Sequence, residues 1–244
     1  MRLNGFYSRV STLAGIAGLW FYAFTSLLGS NLLERVGTIT LLLSLIWWYY
    51  DTGHKRVRFF ERFIVLLFLG YLFFTLAQTS ILNSYAYAIV TWMIGALVLL
   101  FSMLPSINYR KVNTMIYVLC GLLLAFNLYL MYSSMTMLVE YFQGFEIFCL
   151  ISYGFVLVVT ITLAAMYYLL SGSEKSRLFM LCSVTYTFAM LLGGVNFFYH
   201  DSMFITILAR ALFLVFLLTL YYYVVGDSTP NFELDVDEHD ETYV

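Results

Sequence analysis

Long apolar runs dominate this chain, and short polar segments separate them. A helix that crosses a bilayer needs about 20 consecutive apolar residues, and eight runs reach or approach that length. They span residues 10–29, 33–50, 63–82, 85–104, 115–139, 145–170, 178–199 and 204–225. The period-two alternation of a membrane β-barrel is missing. The pattern predicts an all-α integral membrane bundle of about eight transmembrane helices.

Very short loops join the third run to the fourth and the seventh to the eighth, so each pair should form an antiparallel hairpin. Small residues crowd the first run at Ala14, Gly15, Ala17 and Gly18. Small residues let membrane helices approach closely, so we expect another helix to pack against this run.

The composition agrees with a membrane protein. The chain is 62% hydrophobic and 11% charged, whereas soluble domains carry about 25% charged residues. No basic patch extends beyond short loops, which argues against nucleic-acid binding.

The distribution of positive charge predicts the orientation. Ten of the 12 Lys and Arg residues precede the first run or lie in every second loop after it. They are Arg2, Arg9, Lys55, Arg56, Arg58, Arg62, Arg110, Lys111, Lys175 and Arg177. Of the other two, Arg35 lies at the start of the second run, near the opposite side, and Arg210 lies inside the eighth run. Because cytoplasmic loops are enriched in Lys and Arg, both termini are predicted to be cytoplasmic, and a bacterial inner membrane is the expected location.

Residues 1–226 are predicted to form the transmembrane domain, and residues 227–244 a disordered, acidic cytoplasmic tail. Seven of the 14 acidic residues fall in this tail. Its end, with Thr242 and Val244, matches a C-terminal ligand of PDZ domains. A protein partner at the tail and a purely solvated tail both remain open.

Ionisable groups inside a bilayer are costly and are candidates for function. Arg210 is such a group in the eighth run. It could bind a phosphate or a carboxylate, extend to the headgroups, or pair with an acidic neighbour. Further polar groups gather at the predicted outer mouth of the bundle. With Arg210 they form a candidate cluster of His200, Asp201, Asn196, Gln78, Glu140 and Glu146.

This outer-mouth cluster could bind a lipid headgroup or a small solute, or it could simply meet water at the helix ends. Asn127 lies near the middle of the fifth run and could serve either a site or helix packing. The three histidines are far apart and no P-loop or Rossmann glycine pattern occurs, so no metal or cofactor site is predicted.

The eight short-looped spans, and the segment 189–196 with its Gly193-Gly194 pair before a final aromatic helix, resemble the YhhN, or lysoplasmalogenase, family. The resemblance implies hydrolysis of a vinyl-ether bond by acids in the third and seventh spans. The third span here carries Gln78 and Thr79 but no acid, and the seventh has none before Asp201. Acid–base catalysis needs a group that exchanges a proton, so no catalytic residue is carried over.

The leading hypothesis is a non-catalytic binding or interaction protein, or a subunit of a membrane complex, with membrane lipids among its partners. The alternatives are a lipid-acting enzyme that uses His200, Asp201 and Arg210, and a small transporter or sensor.

Overall fold

The computed structural model describes residues 17–18, 22, 31–51, 57–79, 81–82, 84–107, 112–198 and 202–226. Seven helices follow one another in this part of the chain. They are α1 Asn31–Asp51, α2 Arg58–Gln78, α3 Ala86–Met103, α4 Thr114–Leu138, α5 Phe145–Ser171, α6 Glu174–Phe198 and α7 Met203–Gly226. Short 3-10 turns follow α3 and α4 at Leu104–Ser106 and Val139–Tyr141.

The described part consists of helices joined by short non-helical segments and contains no strand, which confirms the all-α part of the predicted fold class. Six helices, α2 to α7, are long and apolar enough to cross a membrane, and α1 adds the shorter apolar stretch Val36–Tyr50. Helices α1 to α7 match the second to eighth predicted runs. Only Ala17, Gly18 and Tyr22 of the first run are described, all three helical, and the predicted tail 227–244 lies outside the described residues.

Two helices begin earlier than the apolar pattern predicts. Helix α2 starts at Arg58 rather than at residue 63, and α6 starts at Glu174 rather than at residue 178. Most of the added residues are charged and have a high helix propensity. They extend both helices beyond the apolar runs. Ser173 caps α6, because its Oγ accepts a hydrogen bond from Ser176 N at 3.2 Å. Lys175 and Arg177 therefore lie in the first turn of α6 and not in a loop.

Hydroxyl groups within the helices are satisfied by their own backbone. Thr91, Thr160 and Thr219 each donate to the carbonyl four residues earlier, at 2.6, 2.7 and 2.6 Å. No water reaches the core of a bilayer, so a polar side chain there needs a partner within the protein. These bonds let hydroxyl residues occupy otherwise apolar helices.

Aromatic contacts define one end of the bundle, here called the basic end. The ring of Tyr223, late in α7, lies 6.1 Å from Phe59 in α2 and 5.4 Å from Phe179 in α6, centre to centre. Lys175 Nζ sits 5.6 Å from the centre of the same ring. The first turns of α2 and α6 and the last turns of α7 therefore meet, and Arg58, Arg62, Lys175 and Arg177 gather there.

The opposite end, here called the acidic end, carries Glu140 and Glu146. The last turn of α2 meets the start of α3 there, where Phe74 and Tyr85 lie 5.3 Å apart. Asn196 of α6 hydrogen bonds Thr206 of α7 at 2.8 Å. Both predicted hairpins, α2–α3 and α6–α7, are thus present and antiparallel.

The centre of the bundle is aromatic. Phe63, Tyr186 and Phe216, from α2, α6 and α7, are fully buried and contact one another with ring centres 4.8–5.8 Å apart. The Tyr186 hydroxyl lies 3.0 Å from that of Tyr153 in α5, so a hydrogen bond adds a fourth helix to this centre.

Helix α4 lies at the periphery. Among the described helices it packs against α5 and, less extensively, α6. Met115, Tyr129 and Tyr132 on its outward face are 69%, 66% and 68% exposed. These large apolar side chains suit contact with lipid rather than with protein.

Glycines permit two close helix contacts. Gly18 lies against Ser44 of α1, and a Cβ there would overlap the Ser44 hydroxyl. This fits the expectation that small residues of the first run let another helix approach. Gly70 of α2 lies under the indole of Trp92 in α3, where a Cβ would overlap the ring.

We expect Gly70→Ala to lower the free energy of unfolding by about 1–3 kcal/mol, because the Trp92 indole must move in a packed interior. Gly121 of α4 is the matched control, since a Cβ there meets no described atom within 4 Å. Gly121→Ala should be neutral or stabilising by up to about 1 kcal/mol. Thermal unfolding in detergent measures both. Equal melting temperatures for Gly70→Ala and the parent protein would contradict this packing.

Candidate functional site

A cavity of about 310 Å³ lies in the acidic-end half of the bundle. The described wall is built from the second halves of α2, α4 and α6 and from the first halves of α3, α5 and α7. Tyr22 and Thr38 complete it. Two residues of the predicted outer-mouth cluster, Arg210 and Asn196, line this cavity.

Arg210 is buried, with 7% of its side chain exposed. It lies seven residues into α7, about 10 Å along the helix axis from Met203. Its side chain belongs to the cavity wall. A guanidinium in such a position can bind an anion through charge-assisted hydrogen bonds.

Asn196 holds the turn between α6 and α7. Its Nδ2 donates to Thr206 Oγ1 at 2.8 Å, and its Oδ1 accepts from Ser202 N at 3.0 Å. Thr206 in turn donates to Ser202 O at 3.0 Å. Asn196 therefore acts mainly as a connection that fixes the start of α7, the helix that carries Arg210.

The other members of the cluster lie elsewhere. Glu146 is half-exposed and caps α3, since its Oε1 accepts from Ser84 Oγ at 2.8 Å and from Tyr85 N at 2.7 Å. Glu140 is exposed in the 3-10 turn after α4, and Gln78 is half-buried at the end of α2. None of the three lines the cavity. His200 and Asp201 lie outside the described residues.

One side of the cavity is a wall of rings. Trp92 is flanked by Tyr71 at 5.4 Å and by Phe74 at 5.5 Å between ring centres. Tyr71 also meets Phe213 of α7 at 5.7 Å, and Phe74 meets Phe197 of α6 at 5.0 Å. Such edge and tilted contacts hold large rings in fixed positions, so this aromatic wall is a stiff surface.

Another side of the cavity is formed by flexible methionine side chains and by glycines, which have no side chain. Met131 and Met135 of α4 lie against Gly154 of α5, where a Cβ would come 3.1 and 2.9 Å from their side chains. Methionine adapts readily to irregular shapes. On α6, Gly193 and Gly194 line the cavity, and a Cβ at either would meet no described atom within 4 Å.

Two of the cavity's neutral polar groups bond to the protein. Asn127 of α4 donates from Nδ2 to Leu123 O at 2.8 Å, and Tyr153 shares its hydroxyl with Tyr186. Asn127, predicted near the middle of its span, does face the cavity.

Most of the wall could not be predicted from the sequence, because the wall is largely apolar and polar residues in apolar runs are the features that stand out in the sequence. Trp92, Met131, Gly154 and Gly194 look like ordinary packing residues in an apolar span. The one sequence signal was the Gly193-Gly194 pair among large side chains, since paired glycines inside a helix leave space that other residues would fill.

Among the described residues, no group of three or more His, Cys, Asp or Glu side chains is placed to hold a metal ion. No protein-family model, curated protein or solved structure matches this chain.

We expect Glu146→Ala to lower the free energy of unfolding by about 1–2 kcal/mol, because the variant leaves the Ser84 hydroxyl and the Tyr85 amide without their charged acceptor. Glu140→Ala, a loss of the same charge at an exposed site on the same end, should change stability little. Melting temperatures of the two variants in detergent test this prediction. An equal decrease in both would mean that the loss of negative charge, and not the loss of the cap on α3, lowers the stability.

Proposed function

We propose that this chain is a multi-pass membrane protein that binds an apolar or amphipathic small molecule in the cavity beside Arg210, without chemical conversion. The observation that carries the proposal is the cavity itself. Its volume falls at the lower end of the range of about 300–1,000 Å³ that small-molecule sites occupy. Its lining follows the composition of such sites, with many aromatic and aliphatic side chains and few polar groups.

The construction of the wall supports binding rather than simple loose packing. Three glycines, Gly154, Gly193 and Gly194, face the cavity and withhold side chains from it. A stiff aromatic wall and an adaptable methionine wall together can fix one part of a ligand and accommodate another.

The position of α4 supports a ligand that comes from the bilayer. Among the described residues, little protein lies on the outward side of this helix, yet its residues Asn127, Met131 and Met135 form part of the cavity wall. In the described part of the chain, α4 alone would separate a lipid-phase ligand from this side of the cavity.

We also propose eight spans, with both termini in the cytoplasm and the basic end facing it, in a bacterial inner membrane. The gathering of Arg58, Arg62, Lys175 and Arg177 at one end of the bundle supports this orientation, because positive charge marks the cytoplasmic side. The cavity would then lie in the outer half of the membrane.

Single cysteines test the orientation, since native Cys120, Cys149 and Cys182 are buried. We expect a membrane-impermeant thiol reagent to label Glu140→Cys in intact cells and Arg177→Cys only after permeabilisation. A reporter fused after Val244 should be cytoplasmic. The reverse labelling pattern would refute the orientation, and an external reporter would refute eight spans.

Quenching of Trp92 fluorescence tests the binding site. In a variant with Trp20→Phe, Trp47→Phe and Trp48→Phe, Trp92 is the sole tryptophan and reports on the cavity. We expect ω-bromoundecanol, added to the protein in lipid nanodiscs, to quench Trp92 saturably. A protein that keeps only Trp48, which stacks on Tyr221 at the basic end with ring centres 4.4 Å apart, reports non-specific quenching.

A cavity-filling variant provides the second control. Gly194→Leu places a side chain in the cavity and should abolish saturable quenching of Trp92. Gly121→Leu, on the exposed face of α4, should leave it unchanged. Quenching that is equal at Trp92 and Trp48, or unaffected by Gly194→Leu, would rule out the site.

A further inference from the structure

The acidic tail, residues 227–244, leaves the bundle at the basic end. Helix α7 ends at Gly226, three residues after Tyr223. The ring of Tyr223 lies 6.1 Å from that of Phe59 in α2 and 5.4 Å from that of Phe179 in α6, centre to centre. One arginine directly precedes Phe59, and another lies two residues before Phe179. The tail therefore begins beside the arginines in the first turns of α2 and α6.

Three exposed arginines at the basic end form no ion pair with any described residue. They are Arg58 and Arg62 of α2 and Arg177 of α6. The described acids nearest to them in sequence, Glu61 and Glu174, do not pair with them, and Oε1 of Glu61 has no hydrogen-bond partner among the described residues. A guanidinium offers five N–H donors, so each of these arginines can accommodate a carboxylate in a two-bonded pair.

The basic end and the tail carry opposite charges of similar size. The segments 51–62, 104–114 and 171–177, which join helices at the basic end, contain eight Lys and Arg and three Asp and Glu, a net charge of +5. The tail contains seven Asp and Glu and no Lys or Arg. At about 0.1 M salt such charges attract one another over a distance of about 10 Å.

The tail is long enough to reach all of these positive charges. Glu233 follows Gly226 by seven residues and Glu241 follows it by fifteen, so an extended chain carries them up to about 25 and 50 Å from the end of α7. Packed helices lie about 8–10 Å apart, so α2 and α6 are within reach of both. Exposed ion pairs are individually weak, but a tethered segment has an effective concentration in the millimolar range.

The order of residues in the tail allows several pairs to form together. Acidic and apolar residues alternate from Phe232 to Asp237. In an extended chain this alternation places Glu233, Asp235 and Asp237 on one face. Three carboxylates on one face match three exposed arginines.

We propose that the tail folds back on its own chain and binds the basic end, with the acidic residues of 233–241 paired to Arg58, Arg62 and Arg177. The tail is favoured over anionic lipid headgroups as the occupant, because it is attached beside these arginines and carries its carboxylates in one continuous stretch. Docking of the tail requires neither a ligand in the cavity nor a particular orientation of the bundle in the membrane.

The distance between two spin labels tests this arrangement. His239→Cys places one label in the tail and leaves all seven acids in place, and Ser171→Cys places the other at an exposed position at the end of α5. Native Cys120, Cys149 and Cys182 are buried. Nanodiscs of phosphatidylcholine that hold one copy each exclude pairing between molecules.

We expect a population with a short label-to-label distance at about 0.1 M salt. At about 1 M salt the Debye length falls to about 3 Å, and this population should shrink at least about threefold. One broad distance distribution that is the same at both salt concentrations would overturn the proposal.

Neutral variants of the tail assign the contact to its carboxylates. At about 0.1 M salt the short-distance population should shrink at least about threefold when three acids lose their charge, in the combined variant Glu233→Gln, Asp235→Asn and Asp237→Asn. These substitutions change no residue of the described helices. An undiminished population in this variant would rule out pairing by the tail acids.

Neutral variants of the basic end identify the other partner. The combined variant Arg58→Gln, Arg62→Gln and Arg177→Gln should lose the same population, whereas Glu140→Gln, which removes an exposed charge at the acidic end, is the matched control and should behave like the parent protein. An undiminished population in the arginine variant would exclude these arginines as the docking surface. Where that variant fails to fold, the tail variant alone decides.

Nanodiscs that also contain phosphatidylglycerol distinguish the tail from lipid headgroups. We expect the short-distance population to persist when this anionic lipid replaces part of the phosphatidylcholine, because the tether keeps the tail at a high effective concentration. Loss of the population on addition of phosphatidylglycerol would show that the arginines bind headgroups instead and would overturn the proposal.

Discussion

Close ring packing of Phe63, Tyr186 and Phe216, with two edge-to-face contacts and one tilted contact, joins three helices at the centre of the bundle, and the rest of the architecture is arranged around it. Because lipid tails are as apolar as these side chains, the hydrophobic effect does little to hold helices together inside a bilayer. Close ring contacts and buried hydrogen bonds must do so instead. The Tyr153–Tyr186 hydroxyl pair extends the same centre to α5, and Tyr153 also lines the cavity.

The aromatic contacts continue from this centre toward the acidic end. Phe216 meets Phe213 at 5.8 Å, and Phe213 meets Tyr71, which meets Trp92. The cavity thus lies against this series of ring contacts on one side and against the peripheral helix α4 on the other. A rigid aromatic wall on one side and adaptable methionine side chains on the other would allow a site to keep its shape and still admit a ligand.

The helices could be predicted from the sequence because lipid imposes one simple requirement, a sustained apolar run. Helix α4 was predicted at 115–139 and occurs at Thr114–Leu138, and α5 at 145–170 occurs at Phe145–Ser171. The starts of α2 and α6 could not be predicted this way, because Arg58 and Glu174 continue the helix beyond the apolar run.

The site was harder to predict for a related reason. Arg210 and Asn196 stood out as polar residues in apolar spans, but so did Glu146, whose role is to cap α3. Trp92 lines the cavity and Phe63 fills the core, but both are aromatic residues in apolar runs. The sequence alone does not show which of them lies at a cavity. Only the positions of the neighbouring helices separate a wall from a core.

The placement of Arg210 also bears on how the chain enters the membrane during synthesis. An arginine at the centre of an inserting helix opposes insertion by about 2.5–3.5 kcal/mol, whereas each Leu, Ile, Phe or Val favours it by about 0.3–0.6 kcal/mol. Roughly five to ten such residues offset one arginine, and α7 supplies that many along its sequence MFITILARALFLVFLLTLYYYVVG. Helix α7 can therefore partition into the bilayer on its own apolar content, although it carries a cation.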